Sequence, residues 1–512
     1  MTTSTSNEPT PQAARAPRSA TTAQPRSTEP PRTVASRFVV LALCLAVVLS
    51  ALAFGTVHSW SLAIFQAGAG FVALAWLADG WRTRRLRLSF NPLQLPLAGL
   101  CLIGLLQLLP LSSAGDTAAA AAAGVAGARA AVSLDPFTTR LVVVQLVALL
   151  VYFAAALSFI DSPRRLQLVA RVVMIFGFAL AVFGMAQYFV SPDKIYGIRE
   201  TTQSLSFGPF INRHHFAGYM ELTLALPLGY VFAGAVERDK RIAYGFAAAV
   251  MALGLVLTNS RGGMLSLAAE VMFVVIVSAG VRRDAHSSGH KESRVERVRR
   301  VAVRAALGCA LLAALFLGAL AFGGEGALAR LVGSVNTDDP TTGRAQFWRT
   351  TTAIIADHPL AGVGLGAFGV AYSGYDQTNG RVYRLEQAHN DYLQIVSDAG
   401  VAGALLALLF VAMLFRAGFK RLESQDKARR AVALGALTGC FAVLVHSFFD
   451  FTLHTTSNAL LFLVLAALAT TNGRVEQPTR RRRRRKPAAT EESAPPAPDA
   501  ETVAAAPESA GA

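Results

Sequence analysis

Charge is scarce in this chain, and so is cysteine. Only 16% of the 512 residues are charged, against 53% hydrophobic, and the mean hydropathy is +0.42. That balance excludes a string of ordinary soluble domains and points to lipid as the solvent. The four cysteines, Cys44, Cys101, Cys309 and Cys440, all fall inside apolar runs, with no metal-ligand spacing and no partner in a loop. They read as small packing residues rather than as a disulfide framework or a zinc site. Acidic residues are few as well, 32 against 48 Lys and Arg, for a net charge of +16. The basic residues are spread over short loops between apolar runs and the tract Arg480 to Lys486. They read as topology anchors attracted to anionic lipid, and nucleic acid is set aside as a partner.

What is abundant is long apolar sequence. Runs of about 17 to 22 residues nearly free of charge recur along the chain, each long enough to cross a hydrocarbon core as a helix. The expected fold is therefore all-α, a polytopic membrane bundle of roughly twelve transmembrane helices. The spans read as 38–55, 61–78, 92–111, 140–160, 168–190, 214–235, 242–258, 263–280, 304–322, 400–416, 431–449 and 457–471. Residues 1–37, rich in Ser, Thr, Pro and Arg, and 472–512, basic and then rich in Ala, Pro and Glu, are read as disordered tails. A cleaved signal peptide ending near Ala53 is disfavoured by the long polar lead before the first apolar run. The Ala-rich stretch 112–137 reads either as a flexible loop or as an interfacial helical hairpin.

Lys and Arg bias sets the orientation. With the N-terminus inside, every even-numbered loop is basic: Arg82 to Arg87, Arg164 and Arg165, Arg238 to Arg241, Arg282 to Arg304, and Arg416 to Arg430, with the C-terminal tract also inside. Both termini are thus expected in the cytoplasm. The opposite face receives one long segment, 323–399, between the first nine spans (38–322) and the last three (400–471). Its mixture of Gly, polar and aromatic residues suggests a folded extracytoplasmic loop rather than a linker.

The chemistry-bearing residues fall on that same outer side. Asn212-Arg213-His214-His215 enters the sixth span, and Asn259-Ser260-Arg261-Gly262-Gly263 enters the eighth. The long loop carries Gly343-Arg344, Trp348, His358 to Gly366 and His389-Asn390, while His446 to His454 surround Asp450. A guanidinium at a helix end beside lipid suits a bound anion, because its planar fork matches phosphate oxygens. His389 is the leading proton acceptor, since an imidazole titrates near neutrality, and Asn390 or Asp391 could orient it. His214, His215, His446 and His454 read more as interfacial or structural. Glu221 and Glu270 lie about two turns below Arg213 and Arg261, and Arg–Glu pairing within the bundle is their simplest role. Gly362-Val363-Gly364-Leu365-Gly366 looks like a phosphate-cradling loop, yet no strand precedes it and no Lys-Ser/Thr follows, so a nucleotide site is rejected.

In this order and setting, Ser260 to Gly263, Gly343-Arg344 with Trp348, His358 to Gly364, His389-Asn390 with Leu393-Gln394, and His446-Ser447 with Asp450-Phe451 resemble the O-antigen ligase and polymerase superfamily. Asn212-Arg213 resembles its earlier outer-face motif. The sequence departs from the family pattern at His214-His215, where a second Asn is frequent, and at Asp398, where Glu is frequent. The resemblance implies a bacterial inner-membrane enzyme acting at the periplasmic face, without metal or other cofactor. Its donor would be a polyprenyl-diphosphate-linked glycan, and its acceptor a lipid, glycan or protein hydroxyl. On this chain it implies His389 as the residue activating the acceptor. Arg213, Arg261, Arg344 and Asn390 would contact substrate, with His215, Glu221, His446 and Asp450 as secondary candidates. A transporter of a solute or lipid-linked glycan is the alternative; it would show discontinuous helices or an internal repeat, and the sequence shows neither. A non-catalytic scaffold is the third class.

The topology is directly testable. Single cysteines placed at Ser334 and Ser287 should be labelled from the outside and the inside, respectively, by a membrane-impermeant maleimide. The reverse pattern would put the polar motifs in the wrong compartment.

Overall fold

The computed structural model describes residues 33–110, 131–201, 206–280, 344–376 and 385–471, with a few isolated residues elsewhere. The expected span 304–322, most of the segment 281–343, residues 112–130 of the Ala-rich stretch, and the tails before 33 and after 471 lie outside the described residues; residues 33–37, read as part of the N-terminal tail, are instead the cap and first turn of the first helix. The rest is an all-α membrane protein. Its helices are α1 (Val34–Leu52), α2 (Ser59–Thr83), α3 (Gln94–Gln107), α4 (Pro136–Phe159), α5 (Pro163–Val190), α6 (Arg213–Phe232), α7 (Arg241–Leu257), α8 (Arg261–Gly280), α9 (Arg344–Asp357), α10 (Phe368–Tyr375), α11 (Asp391–Arg421), α12 (Lys427–His446) and α13 (Thr456–Thr470). Every expected span other than 304–322 falls on one of them. The described strands are the short antiparallel pair β1 (Lys194–Ile195) and β2 (Arg199–Glu200).

Eight of the described helices are long and apolar enough to cross a membrane. Their outward faces are what lipid requires. Ile64, Leu74 and Leu77 on α2, Ile175 on α5, and Leu405 and Leu408 on α11 are all exposed, an arrangement that water would penalise. The helix α6 is not among the eight. It carries His214, His215, Glu221 and Pro227, and His215 through Tyr230 are buried without interruption, so it meets protein rather than lipid. Around it pack α12, α7, α8, α5 and α13.

Close backbone approach holds that centre together. A Cβ on Gly229 of α6 would stand 2.5 Å from Gly435 Cα and 2.6 Å from Ala431 O on α12, and a Cβ on Gly435 would stand 2.7 Å from Ala225 O. Within lipid, helices gain from packing rather than from escape from water, so glycines at a crossing are what lets two backbones meet.

The helix ends sort into two faces. At one face Arg87 bonds Asp79 at 2.8 Å and Asp161 at 3.1 Å, Arg165 bonds Asp161 at 3.2 Å and Ser36 Oγ at 2.8 Å, and Thr33 bonds Asp79. Arg429, fully buried at the start of α12, donates to the carbonyls of Leu468, Ala469 and Thr471 and so closes the C-terminus of α13. Three arginines thus serve as structural staples at the face that the charge bias marks as basic. The opposite face gathers the starts of α6, α8, α11 and α13 and the end of α12.

Above that second face sits a small core of its own. Ile354, Val363, Ala367, Phe368, Ala371, Tyr372 and Ala388 are buried together. The glycine loop below it is left-handed at Gly362, Gly364 and Gly366. Its N–H groups point into the protein: Val363 N donates to Ser397 O at 2.8 Å, Gly364 N to Asp398 O at 3.1 Å, Leu365 N to Gln107 Oε1 at 2.9 Å and Gly366 N to Asp398 Oδ2 at 3.1 Å. A phosphate would find these donors already taken, so the loop is a packing device. The sequence reading starts the tenth span at 400, whereas α11 begins at Asp391 and breaks at Gly400, whose φ is 63° and ψ −167°. The apolar run marks only the part of the helix beyond that break.

Gly229→Ala should drive α6 from α12. The expected cost is about 2 kcal/mol, read as a lower unfolding midpoint of the purified protein in detergent, with no change for Gly245→Ala, where a Cβ would meet open space.

Candidate functional site

Asp450 is the centre of the second face. It follows α12, is 1% exposed, and collects three basic side chains. Its Oδ1 lies 3.2 Å from His389 Nδ1, and its Oδ2 lies 3.4 Å from an Arg344 guanidinium nitrogen and 3.7 Å from His214 Nδ1. Its own chain contributes the Phe451 N–H, donated to Oδ1 at 2.9 Å. Burial alone would raise the carboxyl's pKa; the His389 hydrogen bond and the charges of His214, His389 and His215 outweigh it and hold the group well below the ordinary carboxylate range. Asp450 is therefore a fixed negative charge.

His389 comes to that charge through an uncommon backbone. Its φ is 51°, in the left-handed region that few non-glycine residues occupy. The turn is held from both sides. Asn390 caps α11, accepting from Tyr392 N at 3.0 Å and Leu393 N at 3.1 Å and donating to Phe448 O at 3.2 Å. Asp391 accepts from Ser447 Oγ at 2.7 Å and from Leu453 N at 3.3 Å, donates its own N–H to Ser447 O at 2.9 Å, and pairs with His454 Nδ1 at 2.7 Å. Two reciprocal pairs, His389–Asp450 and Asp391–His454, thus lock the start of α11 to the connection between α12 and α13. The hydrogen bond to the Asp391 carboxylate and its charge outweigh the desolvation from neighbouring protein and raise the His454 pKa, although the ring stays partly open to the outside. The His389 ring also stands edge-on to Phe451, centroids 4.9 Å apart, and 5.9 Å from Phe347.

A second line of contacts runs from Asp450 into the bundle. His214 Nδ1 is 2.8 Å from Ser260 Oγ, Ser260 Oγ is 3.5 Å from His446 Nε2, and His446 Nδ1 is 2.8 Å from Glu221 Oε1. Ser260, His446 and Glu221 are all fully buried. Ser260 is placed by Asn259, which is left-handed at φ 54°, and its Oγ also accepts from Gly263 N at 3.2 Å. Ligand atoms of His214, His446 and Asp450 lie within 4.8 Å of one another, a spacing that admits a metal ion. Between the two imidazoles the structure places the Ser260 hydroxyl, hydrogen-bonded to both.

The anion-binding candidates sit around this centre. Arg213 and Arg344 both act electrostatically on His214, and Arg261 follows Ser260 in the first turn of α8. Arg261 is half-buried and has no hydrogen bond or ion pair with another described residue. The expected Arg–Glu pairs do not form in the bundle: Glu221 is held by His446, and neither oxygen of Glu270 has a hydrogen-bond partner among the described residues.

The structure thus bonds His389 and Arg344 to Asp450 and His446 to Glu221, the two sets meeting where His214 lies 3.7 Å from Asp450. It places Asn390 as a cap and turns His215 away. The His215 ring lies edge-on to Phe451 at 4.9 Å, its carbonyl accepts from Asn458 at 3.0 Å, and its Nε2 is buried without a partner among the described residues. His214, the residue the sequence reading passed over, is the one that reaches Asp450. Successive residues on a helix point about 100° apart, so one of two adjacent histidines must turn from the centre, and sequence alone does not say which.

A bundle of apolar helices whose buried carboxylate gathers arginine and histidine where several helix ends meet defines a polytopic membrane protein with a charged centre at one end of its bundle. Residues 246–408 match the family model described as O-antigen ligase, a stretch that includes Ser260, Arg261, Arg344 and His389. The chain is also similar to the exopolysaccharide production protein ExoQ of Rhizobium meliloti (strain 1021), 28% identical over 133 residues, or 23% of this chain and 31% of that protein. It thus matches about a third of that relative's length. Together these findings support the O-antigen ligase superfamily.

Replacing Asp450 by Asn should cost about 3 kcal/mol of stability near neutral pH, because His389, Arg344 and His214 lose their shared anion. A carboxyl held below its ordinary pKa stabilises fully above the unfolded value, about 3.9, and loses that contribution as pH falls through the folded one. The gap between the unfolding midpoints of wild type and Asp450→Asn should therefore be open above about pH 4 and narrow progressively as the pH falls below it.

Proposed function

We propose that this protein is a glycosyltransferase of the cell-surface polysaccharide class, moving a glycan from a polyprenyl-diphosphate carrier to an acceptor hydroxyl at the periplasmic face of a bacterial inner membrane. The observation that carries this reading is the His389–Asp450 pair with Arg344 on the same carboxylate, which sets a proton acceptor beside an anion site. The match to the O-antigen ligase model and the apolar helices support glycan and lipid as partners.

Asp450 accepts the Nδ1 proton of His389 and so fixes the tautomer whose Nε2 lone pair is free. That nitrogen takes the proton of the acceptor hydroxyl as its oxygen bonds the anomeric carbon, and the bond from that carbon to the diphosphate breaks. Arg213, Arg261 and Arg344 hold the diphosphate and stabilise the charge that develops on it. Diphosphate is a good leaving group, so positioning and charge stabilisation supply much of the rate. The exposed apolar flanks of the bundle give the polyprenyl tail a place beside the site.

The test is release of polyprenyl diphosphate by purified protein in lipid vesicles, given a polyprenyl-diphosphate oligosaccharide and candidate acceptors. His389→Ala should slow release by about 10²- to 10⁴-fold, and the length of the glycan product tells a polymerase from a single-transfer ligase. Full activity in a folded His389→Ala protein would refute the base assignment.

A further inference from the structure

The contacts from His214 to Glu221 form an unbroken series of groups that each both give and take a proton. His214 Nδ1, Ser260 Oγ and His446, with Nε2 toward Ser260 and Nδ1 toward Glu221, are spaced at 2.8, 3.5 and 2.8 Å along the series. It admits two complete hydrogen-bond patterns. With the proton on Glu221, Glu221 donates to His446 Nδ1, His446 Nε2–H donates to Ser260 Oγ, and Ser260 O–H donates to His214 Nδ1, so the His214 Nε2 bears a hydrogen. With Glu221 ionised, every bond reverses and the His214 Nε2 presents a lone pair.

His214 lies at the accessible end. Its side chain is 22% exposed, while Glu221 at the other end is fully buried. The groups that face the two ends differ in kind. Around His214 stand Asp450, Arg213, Arg344 and His446. Around Glu221 stand His446, Ser266 on α8 and, close by on the same helix, Glu270, fully buried with neither oxygen hydrogen-bonded among the described residues. Two carboxylates so deep in an apolar bundle are costly as two charges.

We propose that Glu221, His446, Ser260 and His214 form a proton relay that delivers a proton from the bundle interior to the departing diphosphate, with His214 as the residue that touches it. This rests on the transfer reaction proposed above. As the bond from the anomeric carbon to the diphosphate breaks, the leaving oxygen takes the His214 Nε2 proton. The Ser260 hydroxyl proton moves to His214 Nδ1, the His446 Nε2 proton to Ser260, and the Glu221 proton to His446 Nδ1. The acceptor's own proton leaves through His389 to solvent, and solvent returns one to Glu221 by the same path, so one proton enters for each that leaves. Burial, with Arg213, His446 and Arg344 adding to it, outweighs the pull of Asp450 and disfavours a cationic imidazole at His214, which suits a relay that runs through neutral tautomers.

The experiment is a proton inventory on kcat, measured as polyprenyl diphosphate release in H2O–D2O mixtures with donor and acceptor saturating. Wild type should give a bowed plot, the mark of several protons moving together. Ser260→Ala breaks the relay at its middle, and Glu221→Gln removes its store while keeping an acceptor for His446. Each should lower kcat roughly ten- to a hundredfold with KM nearly unchanged and a straight inventory. His214→Asn should lower kcat likewise. Wild-type kcat and curvature in folded Ser260→Ala overturn the relay, whatever the fate of Glu221→Gln. Loss of the wild-type rate on chelation, restored by zinc, would overturn it too, making His214, His446 and Asp450 a metal site instead. If wild type and His389→Ala behave as expected while Ser260→Ala matches wild type, the relay alone fails. A wild type that releases nothing refutes the transfer reaction and the relay with it.

Discussion

The buried carboxylate of Asp450 is the constraint on which the outer face depends. A charge that is 1% exposed persists only with basic groups and hydrogen-bond donors turned toward it, since an unpaired ion in a dry bundle is strongly destabilising. Asp450 draws these from three places far apart in sequence: His214 from the start of α6, Arg344 from the start of α9 and His389 from the turn before α11. The left-handed backbone at His389 and the His454–Asp391 pair follow from bringing that turn within reach. The carboxylate that stabilises the face also orients its imidazoles, so stability and chemistry share one residue.

The interior supplies the matching support from below. Gly229 and Gly435 let α6 and α12 meet at backbone distance. Both helices carry a relay group, Glu221 and His446, and the close crossing holds these polar groups dry and in register. The cation-rich opposite face uses its arginines differently, as caps and staples for helix ends. Guanidinium groups thus do two jobs in one molecule: at one face they satisfy carbonyls and carboxylates of the fold, and at the other Arg261 has no ion pair with a described residue.

Much of the fold was legible because membrane insertion depends on quantities that add residue by residue. Apolar length located the helices, and the glycine loop spends its N–H groups on the protein itself. The limits appear where polarity is mixed. The helix α6 is too polar for a lipid-facing span, yet it is buried without a break from His215 to Tyr230, and the first turns of α11 precede the apolar run that marks it. At the site, the residue types came through and the pairings did not. Arginine was expected opposite Glu221 and Glu270; His446 took the first, and the second has no hydrogen bond among the described residues. His215 was preferred to its neighbour, and Ser260 stood only as part of a motif.

The amino-acid sequence by itself determined that the chain is a helical membrane protein with its basic loops on one side and its unusual polar motifs on the other, because hydropathy and charge act through composition over many residues. Only the tertiary structure decided that Asp450 is the hub, that His214 rather than His215 faces it, and that a hydroxyl joins two imidazoles on the way to Glu221. A hydrogen bond is made or lost over a few tenths of an ångström, and one residue's rotation on a helix, about 100°, turns a proton donor away from the site and into the packing.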